Sequence, residues 1–283
     1  MLVAFRLASF VLAFGLALPV AAVSQTPEFS IFEVPIGAAA ADVEAMAASQ
    51  GVIERSPTHR CIPGRLCSSP SVIERIPGTE FVSTLWGNRT LPDRTLAFSF
   101  AFTAPPNAHR VWAAGSDQTF GNRYAPSGAA PLLADVLAEL RARFGEPSRY
   151  TGAGGAAVSS IRDARAYWWI WSPSGQQLRW DHRVHRDCDL AMAKSAVLPG
   201  NSGVADLNSV AVDPEPFFLA RRANCAQVVR AEFGHTNGLV YALSVRIADF
   251  EAGHDAYVQT RNLVLAGREE ANRQRSTQNR PRF

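Results

Sequence analysis

Apolar and polar residues alternate along several short segments of the chain. In residues 95–102, the apolar side chains of Leu96, Phe98, Phe100 and Phe102 occupy every second position. A period of two predicts a strand with one buried face. The same reasoning predicts further strands over 81–86, 110–114, 166–171, 176–180, 225–233 and 239–247. Short polar loops join them in pairs, which favours antiparallel hairpins.

Helical periodicity is strongest from Pro131 to Phe144, where apolar residues recur every three or four positions. Gly145 suits the C-terminal cap of this helix, and Pro147 prevents its continuation. The pattern predicts two more helices, over 36–50 and 251–267. Turn-forming residues predict loops over 52–70 and 190–216, and the polar tail 268–283 is expected to be disordered.

This order of elements predicts an α+β fold. Two degenerate units follow one another, each a helix with an antiparallel sheet. The first unit is expected over 30–130 and the second over 131–250, followed by the C-terminal helix and the disordered basic tail. We expect the helices to lie against one face of the sheets.

Residues 1–22 have the organisation of a secretory signal peptide. Arg6 precedes an apolar run over 7–18, and small residues follow at Ala21 and Ala22. The run is shorter than the roughly 20 residues that span a bilayer as a helix. We therefore expect cleavage after Ala22, a periplasmic or secreted protein, and no integral membrane span afterwards. An uncleaved N-terminal anchor is the alternative.

The charge of the chain is concentrated in its tail. The formal net charge is +3, but residues 268–283 contain five arginines and two glutamates. Without that tail and Arg6, the remaining chain is close to neutral. A nucleic-acid-binding body would present a basic face, so no nucleic-acid partner is expected.

The four cysteines predict disulfides, because they are even in number and lie in a chain with an export signal. Three pairings are possible. Proximity in sequence favours Cys61–Cys67 and Cys188–Cys225. The chain has no C-x-x-C motif, which argues against a thiol oxidoreductase, and oxidised cysteines cannot ligate a metal.

Residues 181–189 combine two histidines with three aspartates, donor types that suit Zn²⁺. If the preceding strand continues, His182 and His185 point to opposite faces, and they converge only on a helical turn or bend. The stretch also contains Arg179, Arg183 and Arg186, which would pair with the aspartates. A salt-bridged strand end is therefore preferred over a metal site, and no metal or cofactor is expected.

Residues 200–203, Gly-Asn-Ser-Gly, are similar to the nucleophile turn of chymotrypsin-like proteases. The order His59, Asp117, Ser202 also matches the order of that family. A catalytic triad needs its members within hydrogen-bond reach, which the sequence does not indicate. Turn formers surround Ser202, so a plain loop is the preferred interpretation and no catalytic residue is assigned.

The segment 166–171 places aromatic residues on both faces of its predicted strand. One face would be exposed if only the other packs against a helix. Exposed aromatic side chains serve as binding anchors, so Tyr167, Trp169 and Trp171 are the candidate binding residues if one face is exposed. A strand buried on both faces is the preferred interpretation, and an exposed binding surface is the alternative.

Two segments resemble periplasmic proteins of the BamE/SmpA type and the β-lactamase inhibitor protein. They are IGAAAADVEAMAAS, starting at Ile36, and PLLADVLAELRARFGEPSRY, starting at Pro131. The second helix ends in Phe-Gly-Glu-Pro before a strand, as in that group. The chain departs from it in two respects, since no Pro follows Gly51 and the lipobox Cys of BamE-type proteins is missing. The chain is also similar to uncharacterised exported proteins of proteobacteria.

The resemblance implies an α+β fold and a role in protein binding or envelope assembly. Together with the export signal, it predicts a monomeric, non-enzymatic module whose partner is another envelope protein or a cell-wall component. A secreted hydrolase, either serine-protease-like or metal-dependent, is the alternative function.

Overall fold

A computed structural model describes most of the chain after the predicted signal peptide. The described residues are 29–49, 56–60, 81–104, 106, 110–152, 158, 160, 163–179, 182–195 and 215–278. Residues 1–22, the pair Cys61 and Cys67, and the Ser202 turn lie outside these ranges, so the predictions made for them stay predictions.

The described chain contains helices and antiparallel strands, which confirms the α+β prediction. The helices are α1 (Ala40–Ser49), α2 (Leu133–Phe144), α3 (His182–Lys194), α4 (Glu215–Arg222) and α5 (Phe250–Gln278). The strands are β1 (Ser30–Ile31), β2 (Val34–Pro35), β3 (Ser56–Arg60), β4 (Phe81–Thr90), β5 (Thr95–Phe102), β6 (Val111–Thr119), β7 (Arg149–Thr151), β8 (Ala166–Trp171), β9 (Gln227–Thr236) and β10 (Leu239–Asp249).

One antiparallel sheet unites both halves of the chain. Its strand order is β3-β4-β5-β6-β10-β9-β8-β7, so each half contributes four neighbouring strands. The halves join where β6 pairs with β10, in a register that places Ile247 opposite Ala114 and Ser244 opposite Asp117. The two units predicted from the sequence therefore share a continuous sheet.

Helices α1 and α2 cover the first face of this sheet. The core between them contains Val43 of α1, Leu137 of α2, Phe98 and Phe100 of β5, and Val229 of β9, all of which are buried. The alternation seen in residues 95–102 is the reason, because every second side chain of β5 points into this core. Gly145 caps α2 as expected, with φ at 77° and its N–H donated to the carbonyl of Arg141.

The second face is covered by α3, α4 and the start of α5, so the expectation of helices on one face only is wrong. The buried cluster there includes Trp112 of β6, Ile170 of β8, Cys188 of α3, Phe217 of α4 and Phe250 of α5. These helices arise because the connection from β8 to β9 folds back over the sheet. The sequence pattern suggested a loop for much of that connection.

Two local predictions also need correction. Residues 176–179 of the predicted strand 176–180 do not form a strand, since Gln177 makes an isolated bridge to Trp171, and Trp180 lies outside the described residues. The predicted loop 52–70 contains the five-residue strand β3. A tight hairpin joins β1 and β2 through two residues with positive φ, at 49° and 64°, where asparagine or glycine is usual.

Helix α5 extends to Gln278, well beyond its predicted end at residue 267, so the expectation of disorder over 268–278 is wrong. Its outer part is rich in strong helix formers, and Glu270 contacts both Arg273 and Gln274 one turn further on. None of the helices in the described ranges has the length and apolarity needed to cross a membrane.

Candidate functional site

The second face of the sheet is left open beyond α3, where it forms a groove of about 850 Å³. Strands β7 to β10 make its floor, and Asp189, Leu190 and Ala193 of α3 make one wall. Ion pairs and a stacked aromatic ring fill the floor. This groove is the strongest candidate for a functional site in the described part of the chain.

The strand register places a row of side chains across the second face of the sheet, and all of them except Arg246 line the groove. Arg149 of β7 lies opposite Trp168 of β8, which lies opposite Arg230 of β9, which in turn lies opposite Arg246 of β10. Residues that oppose each other in a ladder share one face of the sheet. Three arginines and a tryptophan therefore line up at right angles to the strands.

Each arginine of the row contacts a carboxylate. Nη1 of Arg149 donates to Oδ2 of Asp189 at 2.8 Å. Arg246 reaches both carboxylate oxygens of Asp117, at 3.1 and 3.4 Å. The carboxylates come from β6, β9 and α3, so the network ties the helical wall to the sheet.

Arg230 combines two contacts at the centre of the groove. Its guanidinium donates to Glu232, two residues along the same strand. Its Cζ atom also lies 4.8 Å from the centre of the Trp168 ring, within cation–π distance. The Nε atom of Arg230 has no hydrogen-bond partner among the described residues, and neither has Oδ1 of Asp189.

Partial burial changes the ionisation of this network. Burial raises the pKa of the Asp189 carboxyl, and the charge of Arg149 opposes this rise. Burial lowers the pKa of the Arg230 guanidinium, against the effect of Glu232. The side chains of Arg149, Asp189 and Arg230 are 18%, 31% and 26% exposed, so water is partly excluded from these charges and they interact more strongly than in bulk water.

Tyr241 and Gly234 form the far end of the groove. Tyr241 occupies the bulge between Val240 and Ala242 in β10, and its ring covers Gly234 of β9. A Cβ atom added at Gly234 would lie 2.5 Å from Cε2 of that ring. The absence of a side chain at Gly234 therefore allows the Tyr241 ring to line the groove.

Replacing Gly234 with alanine should displace the Tyr241 ring and lower the free energy of unfolding by about 1–3 kcal/mol, the usual cost of overpacking. Urea unfolding measures this change. Gly128→Ala is the matched control, because nothing lies within 4 Å of a Cβ atom at that position. In a Tyr241→Ala background the cost should shrink, and an undiminished cost would contradict the proposed contact.

Arg165 lines the groove, and His235 lies beside it. Nη1 of Arg165 donates to the backbone carbonyl of His235 at 2.8 Å. Burial, and next the charge of Arg165, lower the pKa of the His235 imidazole from 6.5. The unfolded chain then binds a proton at His235 more readily than the folded chain does. The contribution of His235 to the free energy of unfolding is therefore fully present above pH 6.5 and is lost as the pH falls through the lowered pKa.

We expect the urea midpoint of the protein to fall between about pH 7.5 and about pH 5.5, and to fall less in His235→Gln. Carboxylates change little over this range, so the difference between the two proteins isolates the imidazole. Equal falls in both proteins would assign the pH dependence to other groups.

The predicted binding residues Tyr167, Trp169 and Trp171 lie elsewhere. All three are buried on the first face of the sheet, so they do not form an exposed aromatic surface. Phe144 of α2 packs against Trp169 and Trp171, and Nε1 of Trp169 donates to the carbonyl of Gly145. The strand is buried on both faces, as in the preferred interpretation, because α2 covers one side and α3 the other.

Residues 182–189 form the first two turns of α3, so the expected strand end is wrong. Asp181 and the side chains of His182 and His185 lie outside the described part of the chain, and the other two aspartates have partners that differ from the nearby arginines. Asp187 accepts from Arg222 of α4 at 2.7 Å, and Asp189 accepts from Arg149. Across the described residues, no group of three or more histidine, cysteine or acidic side chains has an arrangement suited to a metal ion.

The Cys188–Cys225 disulfide is confirmed, with a Cα–Cα distance of 6.2 Å. It attaches α3 to the chain just before β9, and Cys188 immediately precedes Asp189. The bond therefore fixes the helical wall of the groove. Of the protease-like set, Asp117 is described and its carboxylate is engaged by Arg246.

The groove residues were missed at the sequence level, although one signal was present. Strands β9 and β10 lie in the middle of the sheet, yet they carry Arg230, Glu232, Ser244 and Arg246 at alternate positions. Charges on one face of a central strand indicate that this face is not part of an apolar core.

Comparison with known proteins identifies no relative. No family model matches the chain, and neither a curated protein nor a solved structure matches it.

Proposed function

We propose that this protein is an exported, non-enzymatic module that binds a partner protein in the groove on the second face of its sheet. The supporting observation is the row formed by Arg149, Trp168, Arg230 and Arg246, which a purely structural sheet face does not require. Removing paired charges from water costs about as much free energy as their mutual attraction returns, so these ion pairs add little net stability to the fold.

The groove suits recognition because its floor is rigid. Strands β8, β9 and β10 form continuous ladders beneath it. Side chains on such strands keep fixed positions, which favours specific polar contacts. Its volume of about 850 Å³ is large enough for several side chains of a partner.

The surroundings of the Ser244 hydroxyl also favour binding over catalysis. Ser244 lies on the floor, but its Oγ atom is buried and has no hydrogen-bond partner among the described residues. A nucleophilic serine needs a base within hydrogen-bond reach. The groove therefore lacks the pairing that would activate Ser244.

The compartment is part of the proposal. The signal-like residues 1–22 favour export, and the Cys188–Cys225 disulfide fits an oxidising environment such as the periplasm. The resemblance to periplasmic binding and assembly proteins agrees with this assignment. Another envelope protein is then the expected partner.

Site-specific crosslinking tests the proposal. A photoreactive phenylalanine analogue replaces Leu190, which is 39% exposed on the groove wall, and in a second variant it replaces Tyr124, which is 81% exposed outside the groove. Irradiation of cells that produce the protein should give a defined adduct from position 190 and none from position 124. No adduct from position 190, or the same adducts from both positions, would overturn the proposal.

A further inference from the structure

We infer that the groove recognises an acidic segment of its partner, whose carboxylate binds between Arg230 and Arg165. This inference rests on the proposed function and adds the chemistry of the partner. Three observations support it. Some arginines of the network already form ion pairs, the groove lining has an excess of positive charge, and the chain itself places the Asp189 carboxylate in the groove.

Two arginines of the network are committed to the fold. Arg246 is only 11% exposed and is held by both oxygens of Asp117. Arg149 is held by Asp189 at 2.8 Å. A partner would have to break these ion pairs before it could use either arginine.

Arg165 and Arg230 are less fully engaged. Arg165 lines the groove and donates to the carbonyl of His235, and no described carboxylate forms an ion pair with it. Arg230 contacts Glu232 through one nitrogen, while its Nε atom has no partner among the described residues. A small rotation of the Arg230 side chain would present a planar fork of donors, which fits a carboxylate.

The charge of the lining favours an anion. Three arginines line the groove, at positions 149, 165 and 230, against the two carboxylates of Asp189 and Glu232. The excess of one positive charge acts at short range in a poorly solvated groove, where it attracts an acidic group more strongly than it would in water.

Asp189 shows that the groove accepts a carboxylate. Helix α3 places this side chain over the floor, where Oδ2 accepts from Arg149 and the charge of Arg230 also acts on it. An acidic residue of a partner would make the same kind of contact at Arg230, which lies two strands away from Arg149 in the sheet. Asp189 also competes with it, because two carboxylates in one groove repel each other.

Other ligand classes fit less well. The face of the Trp168 ring is covered by the Arg230 guanidinium, so it is not available to stack on a sugar. Asp189 and Glu232 would repel the successive phosphates of a nucleic acid, which binds to surfaces of high positive charge. An acidic peptide segment needs only one or two cations, as the groove provides.

Calorimetric titration with capped decapeptides tests the inference. In the first peptide glutamate alternates with glycine, and in two matched peptides lysine or glutamine replaces the glutamate. The glutamate peptide should bind at least about tenfold more tightly than either control, as expected for hydrogen bonds between charged groups. Equal affinity for the three peptides would overturn the inference.

Three variants assign the site. Arg230→Gln and Arg165→Gln should each weaken binding of the glutamate peptide by about tenfold. Asp189→Asn should tighten it by about fivefold, because it removes a competing charge and releases Arg149. Arg273→Gln on the exposed part of α5 is the control for loss of one positive charge and should bind like the parent.

Thermal unfolding of each variant checks that it is folded. If Arg230→Gln does not fold, Arg165→Gln still decides the question, since the one hydrogen bond of its guanidinium to a described residue is to a backbone carbonyl. Unchanged affinity in Arg165→Gln, or a loss of the same size in Arg273→Gln, would overturn the assignment.

Competition separates this inference from the proposed function. The glutamate peptide should suppress the adduct formed from position 190, and the lysine peptide should not. An adduct that persists at saturating glutamate peptide would overturn the acidic partner and leave the proposed function standing. The absence of any adduct would overturn the proposed function itself.

Discussion

Replacing Trp169 with alanine should lower the free energy of unfolding by about 3–5 kcal/mol, the range found when large aromatic side chains are removed from protein cores. The Trp169 side chain is fully buried between the sheet and α2. Its ring lies 5.8 Å from that of Phe144, and its Nε1 atom donates to the carbonyl of Gly145 at 2.8 Å. The substitution would leave a cavity and remove the partner of a buried carbonyl at the end of the helix.

Trp169→Phe separates the two contributions, because it keeps most of the ring and removes the hydrogen bond. Its loss should be smaller, at about 1–3 kcal/mol. Phe218→Ala, at a residue that is 52% exposed, is the control and should cost less than about 1 kcal/mol. Urea unfolding monitored by circular dichroism gives all three values. A loss below about 1 kcal/mol for Trp169→Ala would contradict the packing described for α2.

Removal of the Cys188–Cys225 disulfide should cost about 4 kcal/mol, the value that the chain-entropy model gives for a loop of this length. The two cysteines are 37 residues apart and both are buried. The bond closes the connection from β8 to β9, which carries α3 and α4. Without it, these helices would depend on their packing and on ion pairs such as Arg149–Asp189.

The measurement uses a double replacement of Cys188 and Cys225 by alanine, so that no unpaired thiol remains. A background with alanine at Cys61 and Cys67 allows reduction by dithiothreitol to act on the Cys188–Cys225 bond alone. Reduction there should reproduce the loss seen in the double replacement. Equal stability of the oxidised and reduced forms would mean that helix packing alone closes the connection.

Local pattern was sufficient for the regular strands. Residues 95–102 and 166–171 form β5 and β8 with the predicted boundaries. In β5 large apolar side chains alternate with small ones, and a strand is the regular structure that places all the large side chains on one face. Helix α2 also agrees closely, because Gly145 and Pro147 fix its end through backbone geometry rather than through distant contacts.

Helix α3 could not be predicted in the same way. Its first turns contain histidine, aspartate and arginine, and the histidines and aspartates are weak helix formers. The spacing of Cys188, Ala191 and Met192 fits a buried helical face. This spacing can be interpreted only when it is known that the second face of the sheet is apolar and must pack against a helix. The helix depends on tertiary packing more than on its own composition.

The groove depends on the register in which the strands pair, and the local sequence pattern of one strand does not determine that register. Arg149, Arg230 and Arg246 belong to three strands, and the sheet order inserts β8 between the first two of them. A shift of one residue in the pairing of β9 with β10 would send Arg246 to the opposite face from Arg230. The candidate site is therefore a property of the assembled sheet, although its charges could be seen in the sequence.

The junction of β6 with β10 has a consequence for how the chain matures. During synthesis the N-terminal half emerges first, and β6 then has an unpaired edge in what will become the centre of the sheet. Its partner β10 follows α2, β7, β8, α3, α4 and β9 in the chain, so the edge stays open until all of these elements have been synthesised. Open strand edges are prone to associate with other chains. The two halves therefore depend on each other for solubility during biogenesis, and a truncated N-terminal half would be expected to aggregate rather than to persist as a folded fragment.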